Sequence, residues 1–393
     1  MQAYDVLIVG GGVIGSAIAY FLAACERFDG RVLVVERDAS YRDCSTARSV
    51  GGIRQQFSTP ENMQMSLFGA QFIKGAAEHL SVDGEAPTID FVEAGYLTLA
   101  SPSGRDALEA NHAVQQAHGA EIALLSPEEL SARFPWLRTD DLAGGTLGLS
   151  HEGWLDPYGL LQGFRRKARS LGVHYVQDEV SGMARAGRRI VAARLRSGRE
   201  LGCGHLVNAA GPRARQVAAL AGVDIPVSPR KRCVFAFDCR EKLPRCPLTI
   251  DPAGLYFRPE GPSYICGISP RPSEDPDCED FDLEVEYGWF EERLWPMLAH
   301  RVPAFEALKM TNAWAGHYAY NTFDQNAILG PHPEVENLML ANGFSGHGLQ
   351  QSPAVGRAIS ELIAFGEYRS LDLSRFGYAR ILQGRPVREL NVV

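Results

Sequence analysis

The sequence predicts an α/β protein in which a Rossmann-like, doubly wound nucleotide-binding domain is interrupted by an inserted mixed β-sheet domain of α+β type. Three observations predict this fold. Residues 5–9, 13–23 and 31–36 follow a strand, helix and strand pattern, which opens a parallel sheet. Residues 338–365 return to a strand, a glycine-rich loop and a helix. The chain between these ends is rich in strands, as in 173–210 and 230–330.

We therefore expect a discontinuous first domain that consists of residues 1–80, 145–215 and 325–393. Residues 81–144 and 216–324 are expected to form the inserted domain. A chain of 393 residues is long enough for two or three domains and needs no disulfide or metal to complete its core.

Composition excludes several classes of protein. The net charge of −8 disfavours a nucleic-acid partner, because affinity for nucleic acid depends on neutralising phosphates. The eight cysteines form no C-x-x-C pair, so no metal site is predicted. The apolar run 6–24 contains four glycines, which favour a buried strand, turn and helix over a membrane span.

The first turn carries the pattern Gly10-x-Gly12-x-x-Gly15, with Val13 and Ile14 between the last two glycines. The first glycine makes the turn, the second lets a pyrophosphate approach, and the third lets helix and strand pack closely. Glu36 ends the next strand, where a carboxylate can accept hydrogen bonds from ribose, and Arg37 follows it. This spacing predicts a dinucleotide site.

Two further glycine turns favour FAD over NAD. Ala210 and Gly211 end the strand-like segment VNAAG, and Gly343 begins the cluster GFSGHG. The second cluster precedes a predicted helix at 353–365, with Pro353 in its first turn. The N-terminus of that helix would stabilise negative charge on a reduced flavin. With one nucleotide fingerprint and no second one, electrons are expected to reach FAD directly from a substrate.

Several segments resemble the D-amino-acid oxidase-like FAD-dependent oxidoreductases, which include sarcosine oxidases and dimethylglycine dehydrogenase. They are GGGVIGSAIA, VVERD, STARSVGGIR, VNAAGPRA, WAGHYAYNTFDQNAILGPHP and NGFSGHGLQQSP. The resemblance implies hydride transfer from a carbon next to an amine nitrogen to flavin N5, with the inserted domain as the substrate domain. It also implies FAD contacts by Ser45, Thr46, Arg48, Ser49, Gly51, Gly52, Val180, Gly316, Gly346, His347, Gly348, Leu349 and Gln350.

The chain departs from the pattern of the resemblance at informative positions. Arg54 matches an arginine that holds a substrate carboxylate, but Gln350 stands where sarcosine oxidases have a lysine. Ile265 stands where their oxygen-reactive lysine is expected. The flavin-linking cysteine falls near His317, so FAD is expected to be non-covalent. A dehydrogenase is therefore favoured, with oxygen, a quinone or a protein as the open choices of electron acceptor.

The predicted catalytic residues are Arg54, Tyr256, His317, Tyr318 and Gln350. Arg54 would clamp a carboxylate with its planar guanidinium. His317 or Tyr318 would accept the proton that an ammonium substrate loses before hydride transfer. An equal alternative for Tyr256 is a position in the hydrophobic core. An equal alternative for His317 is a packed position without a catalytic role.

Two other functions stay open at this point. The segments GGIRQQFSTPEN, FPWL, EGWLDP, PRKR, RVPAFE and YNTFDQN resemble a mitochondrial member of the family that is associated with assembly of respiratory complex I. That likeness gives the alternative of a flavin-containing assembly protein with respiratory-chain partners and little turnover. A primary D-amino-acid dehydrogenase is the weaker alternative. The chain shows no Arg-rich presequence, so a bacterial cytoplasmic location, or one peripheral to the membrane, is expected.

Overall fold

The computed structural model describes residues 2–389; residues 1 and 390–393, at the ends of the predicted segments 1–80 and 325–393, lie outside the described residues. The strands are β1 (Gln2–Val9), β2 (Val32–Glu36), β3 (Gly52–Ile53), β4 (Tyr96–Ala100), β5 (Ile122–Leu125), β6 (Gly144–Gly148), β7 (Gly153–Trp154), β8 (His174–Gln177), β9 (Val180–Ala186), β10 (Arg189–Leu195), β11 (Glu200–Asn208), β12 (Val227–Asp238), β13 (Leu248–Ile250), β14 (Leu255–Glu260), β15 (Ser263–Ile268), β16 (Lys309–Asn321), β17 (Ile328–Pro331) and β18 (Leu338–Asn342).

The α-helices are α1 (Val13–Ala23), α2 (Pro60–Lys74), α3 (Ala76–Leu80), α4 (Arg105–Ala117), α5 (Pro127–Arg133), α6 (Pro157–Ser170), α7 (Ala214–Ala219), α8 (Trp295–Arg301), α9 (Gly348–Phe365) and α10 (Ala379–Leu382). A π-helical turn, Phe290–Leu294, leads directly into α8. The short pair β3 and β7 lies outside the two main sheets.

The first sheet runs in the order β17-β18-β11-β1-β2-β8, and β10 and β9 extend from β11. The pairs of β1 with β2 and β11, of β2 with β8, and of β11 with β18 are parallel. The central strands β1, β2 and β18 contain continuous apolar runs because both faces of the sheet are covered: helices α1, α6 and α9 pack on one face, and α7 with β9 and β10 packs on the other. The predicted Rossmann-like α/β fold is confirmed.

The second sheet has the order β16-β12-β15-β14-β13-β4-β6-β5 and is antiparallel except for the pair of β13 with β4. It is the predicted mixed sheet. β6 belongs to it, so the predicted boundary at residue 145 falls inside one of its strands. Sequence reasoning did not find this strand, because its glycine-rich sequence, GGTLG, does not resemble one.

Helix α9 differs from its prediction. It begins at Gly348, so Pro353 lies inside the helix, and the prediction that Pro353 occupies the first turn was wrong. A proline cannot donate to the carbonyl four residues earlier, here that of Leu349. The hydroxyl of Ser352 donates to that carbonyl oxygen at 2.8 Å instead. The helix can therefore start early enough to bring its N-terminus to the glycine cluster.

Candidate functional site

A cleft of about 730 Å³ lies where the two sheets meet, at the carboxyl ends of β1, β2 and β11. Three glycine turns from distant parts of the chain contribute to it. Most predicted residues line this cleft: Gly10, Gly12, Val13, Ile14, Glu36, Arg37, Ser45, Thr46, Arg48, Ser49, Gly52, Arg54, Val180, Ala210, Gly211, Tyr256, Gly316, His317, Tyr318, Gly346, His347, Gly348, Leu349 and Gln350. Gly15, Gly51 and Gly343 are not among the lining residues. Gly15 and Gly51 allow close approach to backbone carbonyls, and Gly343 has a positive φ of +70°.

In the first turn, the positions of Gly10 and Gly15 leave no room for a side chain, whereas the position of Gly12 faces open space where a ligand would lie. A Cβ on Gly10 would stand 2.5 Å from the Ala209 carbonyl oxygen, and one on Gly15 would stand 1.9 Å from the Gly10 carbonyl oxygen. A Cβ on Gly12 meets nothing closer than the Thr46 hydroxyl at 3.6 Å. The glycines at 10 and 15 therefore bring the sheet and helix together, while Gly12 leaves free space in the cleft.

This turn fits a dinucleotide. The first amides of α1 have no carbonyl partner within the helix and carry its partial positive charge, which suits a pyrophosphate. One of these amides already has a partner, because the Thr46 hydroxyl oxygen accepts a hydrogen bond from the Val13 N–H at 3.2 Å. The Glu36 carboxylate accepts from the N–H groups of Gly11 at 2.8 Å and Asp38 at 2.9 Å, which fixes it at the ribose end.

The loop 44–49 is bonded to β16 of the second sheet. The Ser45 hydroxyl donates to the His317 carbonyl oxygen at 2.6 Å, and the Trp314 indole N–H donates to the Arg48 carbonyl oxygen at 3.0 Å. A Cβ on Gly316 would come within 2.7 Å of the Arg48 Cβ. Gly316 therefore serves this close approach, and the loop and strand form one wall of the cleft.

The third glycine turn packs on Tyr318. Gly346 has φ +97°, and a Cβ there would stand 2.6 Å from the Tyr318 ring. The chain then enters α9 with His347 as its N-cap. The first amides of α9 therefore begin at the cleft, where they can stabilise a developing negative charge.

Arg54 is buried, with 4% of its surface exposed, although it carries a charge. Its guanidinium donates to the Gln56 carbonyl oxygen at 2.8 Å and lies 4.3 Å from the centre of the Phe57 ring. The Gln350 amide oxygen accepts from the Arg54 main-chain N–H at 2.7 Å. The glutamine that replaces the expected lysine thus ties the first turn of α9 to the segment that carries Arg54.

Three tyrosines line the cleft; Tyr96 is buried, and Tyr256 and Tyr318 are half-buried. Tyr256 and Tyr318 were predicted, and Tyr96 on β4 was missed. Burial raises the pKa of Tyr96 to about 12 and raises the pKa of Tyr256 and of Tyr318 above the usual value. All three phenols are therefore neutral at physiological pH and act as apolar walls with hydrogen-bonding tips.

The two histidines of the cleft are both neutral near pH 7. The His317 Nε2 lies 2.9 Å from the Asp282 carbonyl oxygen, to which it must donate, and burial lowers the pKa of its ring. His347 Nε2 lies 3.3 Å from the Arg54 Nη2 and accepts from it, because a guanidinium has no acceptor. Burial, and then the charge of Arg54, lower the pKa of His347 to about 3.

Sequence reasoning also missed Glu152, Arg213, Arg232 and Phe281. Glu152 is fully buried behind Arg54 and accepts from the Gln55 N–H at 2.6 Å and the Gln56 amide at 2.9 Å. Burial raises its pKa to about 7. The other three line the cleft. Two signals were available in the sequence: VNAAGPRA, whose glycine turn is followed by Arg213, and the PRKR run, which contains Arg232.

The comparisons with known proteins decide the family. The model of the family described as FAD dependent oxidoreductase matches residues 5–362. The chain belongs to this family. It is 45% identical to FAD-dependent oxidoreductase domain-containing protein 1 of Xenopus laevis, over 99% of this chain and 85% of that protein. It is 26% identical to mitochondrial sarcosine dehydrogenase of Homo sapiens, over 98% of this chain and 43% of that protein.

Among solved structures, L-proline dehydrogenase from P. horikoshii superposes with a TM-score of 0.86 at 26% identity, covering 98% of this chain and 100% of that one. The chain is thus an FAD-dependent enzyme that acts on a small-molecule substrate. In residues 2–389, none of the helices is both long enough and apolar enough to cross a bilayer.

Proposed function

We propose that this FAD-dependent oxidoreductase oxidises a secondary or N-methylated amine that also carries a carboxylate, and that it acts as a dehydrogenase. Bound FAD supplies the hydride acceptor, flavin N5, for the carbon next to the amine nitrogen. The observation that carries the proposal is the buried Arg54, which shares one cleft with the glycine turn at Gly346–Gly348. A buried guanidinium that lines the cleft beside the expected flavin position can receive an anionic group of the substrate.

Arg54 is oriented before any ligand arrives. Its contacts with the Gln56 carbonyl, the His347 ring and the Phe57 face fix the plane of the guanidinium. A guanidinium held in this way can receive a carboxylate through two parallel hydrogen bonds, at a smaller entropic cost than a mobile side chain.

The amine end of the substrate would lie among the tyrosines. Tyr96, Tyr256 and Tyr318 offer aromatic faces to an N-alkyl group. Burial and the nearby charge of Arg54 disfavour an ammonium ion, which lowers its pKa and releases the neutral amine needed for hydride loss. His317 donates through Nε2, so its Nδ1 carries a lone pair, and we assign Nδ1 as the acceptor of the released proton.

Position 265 supports a dehydrogenase. Ile265 is a buried apolar side chain on β15, at the place where an oxygen-reactive lysine is expected from the family resemblance. Two relatives, sarcosine dehydrogenase and L-proline dehydrogenase, are dehydrogenases by name. The final acceptor is then a quinone or a protein and not oxygen.

Anaerobic mixing with candidate amines tests the proposal. Sarcosine, N-methylalanine, 4-methylaminobutanoate and L-proline should include at least one compound that bleaches the oxidised flavin band near about 450 nm. Dimethylamine, which has no carboxylate, is the matched control and should bleach it far more slowly. Bound flavin that no amine in a wider panel reduces would contradict the proposal and favour the assembly-protein alternative.

A further inference from the structure

An acidic segment lies along the mouth of the cleft. We call residues 275–286 the acidic strap; it contains Asp275, Asp277, Glu279, Asp280, Asp282, Glu284 and Glu286. It has no helix or strand of its own, yet Asp280, Phe281 and Leu283 line the cleft. A segment with so little internal structure must be kept in place by contacts with its neighbours.

Those contacts come mainly from three consecutive basic residues of β12. Arg232 forms a two-pronged pair with Asp275, at 2.6 and 2.9 Å. Lys231 Nζ lies 2.8 Å from a carboxylate oxygen of both Asp282 and Glu286.

Arg230 adds a third attachment, since its Nε lies 2.9 Å from an Asp277 carboxylate oxygen. The Lys231 pairs are partly exposed, and single pairs of that kind contribute little, whereas Arg232 and Asp275 are largely buried. A network that joins one strand to one strap sums these effects. The strap is thus clasped to β12 mainly by charge.

The clasp places Phe281 against the cleft. Phe281 has φ +57°, an unfavourable conformation for a bulky residue, so its surroundings must hold it. Its ring meets the His317 ring edge-to-face at 5.7 Å, and the Arg213 guanidinium carbon lies 3.6 Å from its centre. Phe281 therefore supports the Arg213 side chain within the cleft.

Arg213 stands two residues after the Gly211 turn, which is next to the Gly10 turn. Burial, and then the like charge of Arg37, lower the pKa of Arg213, while Glu179 acts in the opposite direction. Arg37 and Arg213 both line the cleft. Two cations near each other in a cleft with exposed helix N-terminal amides are stabilised by an anion between them.

We propose that Arg213, supported by Phe281 of the acidic strap, contacts the pyrophosphate of bound FAD, and that the ion pairs of the strap with β12 set how fast FAD leaves. Phe281 is the strap residue that contacts both Arg213 and His317. FAD release then requires Phe281 to move, and Phe281 moves when the clasp opens.

FAD binding to the reconstituted apoprotein tests the Arg213 contact without any substrate. R213Q should raise the FAD Kd by about 10- to 100-fold, because it removes charge-assisted hydrogen bonds to phosphate. R215Q is the matched control: Arg215 pairs with Asp224 at the surface and is not among the lining residues, so its Kd should stay within about twofold of wild type. Equal Kd values for R213Q and R215Q would overturn the contact.

The strap is tested by the rate of FAD release, followed by the recovery of flavin fluorescence. K231M should release FAD about 3- to 10-fold faster than wild type, and K231R should restore the wild-type rate. The difference should shrink when salt rises from about 0.05 M to about 0.5 M, because salt screens ion pairs. F281A should release FAD at least as fast as K231M. Wild-type release from both K231M and F281A would overturn the role of the strap.

The unfolding temperature of each apoprotein checks that a variant folds. If R213Q lowers it, R213K becomes the test, since lysine keeps the charge and loses the planar fork. R213K should then bind FAD several-fold more weakly than wild type, and wild-type affinity would overturn the proposal.

Discussion

The two sides of the cleft are built in different ways. The nucleotide side consists of backbone turns, such as Gly10–Gly15 and Gly346–Gly348, in which consecutive residues do the work. The side on which we propose that the substrate binds consists of single side chains from separate elements: Arg54 after β3, Tyr96 on β4, Tyr256 on β14 and Tyr318 on β16. A change on the first side should therefore remove the cofactor, whereas a change on the second should alter only one interaction.

G15A should have the largest effect. A Cβ at 1.9 Å from the Gly10 carbonyl oxygen cannot be accommodated unless α1 or β1 moves. We expect a protein without bound flavin, destabilised by about 3 kcal/mol or more. Flavin content per chain and urea unfolding measure this. G182A is the control, because its Cβ meets nothing closer than 3.8 Å. A G15A protein with full flavin content would contradict the expectation that a change in the nucleotide turns removes the cofactor.

R54Q should have a large but selective effect. The flavin should remain bound, while the KM of a carboxylated amine rises by about two to three orders of magnitude, since a buried bidentate contact is lost. Steady-state kinetics with a substrate and its decarboxylated analogue separate this effect from a general loss of activity. The analogue should respond little to R54Q; an equal loss for both compounds would remove Arg54 from carboxylate binding.

E152Q should give a smaller effect that depends on pH. The folded-state pKa of Glu152, about 7, lies above its value in the unfolded chain, so wild type loses stability as pH rises toward and through 7. E152Q lacks this loss. Its free energy of unfolding relative to wild type should therefore increase by about 2–3 kcal/mol between pH 5 and pH 8. Exposed E241Q should show no such trend in urea unfolding at the two pH values.

The sequence was most informative where function depends on local backbone geometry. The glycine turns and Glu36 are recognisable because each consists of neighbouring residues with a required spacing. Tyr96 and Phe281 were not recognisable, since only the folding of distant segments brings them to the cleft, whereas Arg213 follows the recognised Gly211 turn and was overlooked. Pro353 misled for a local reason: Ser352 donates to the Leu349 carbonyl oxygen that Pro353 leaves without its helix donor, and no helix-start rule anticipates this.

The hydrogen bond from the Arg54 N–H to the Gln350 side chain has a thermodynamic consequence. It joins the peptide of Arg54, for which we propose carboxylate binding, to helix α9, whose N-terminal amides we propose to face the flavin. If an acid bound at Arg54 strengthens the binding of the nucleotide by some free energy, then the bound nucleotide must strengthen the binding of the acid by the same amount. The contribution of Gln350 to the cooperativity between the two ligands can thus be measured.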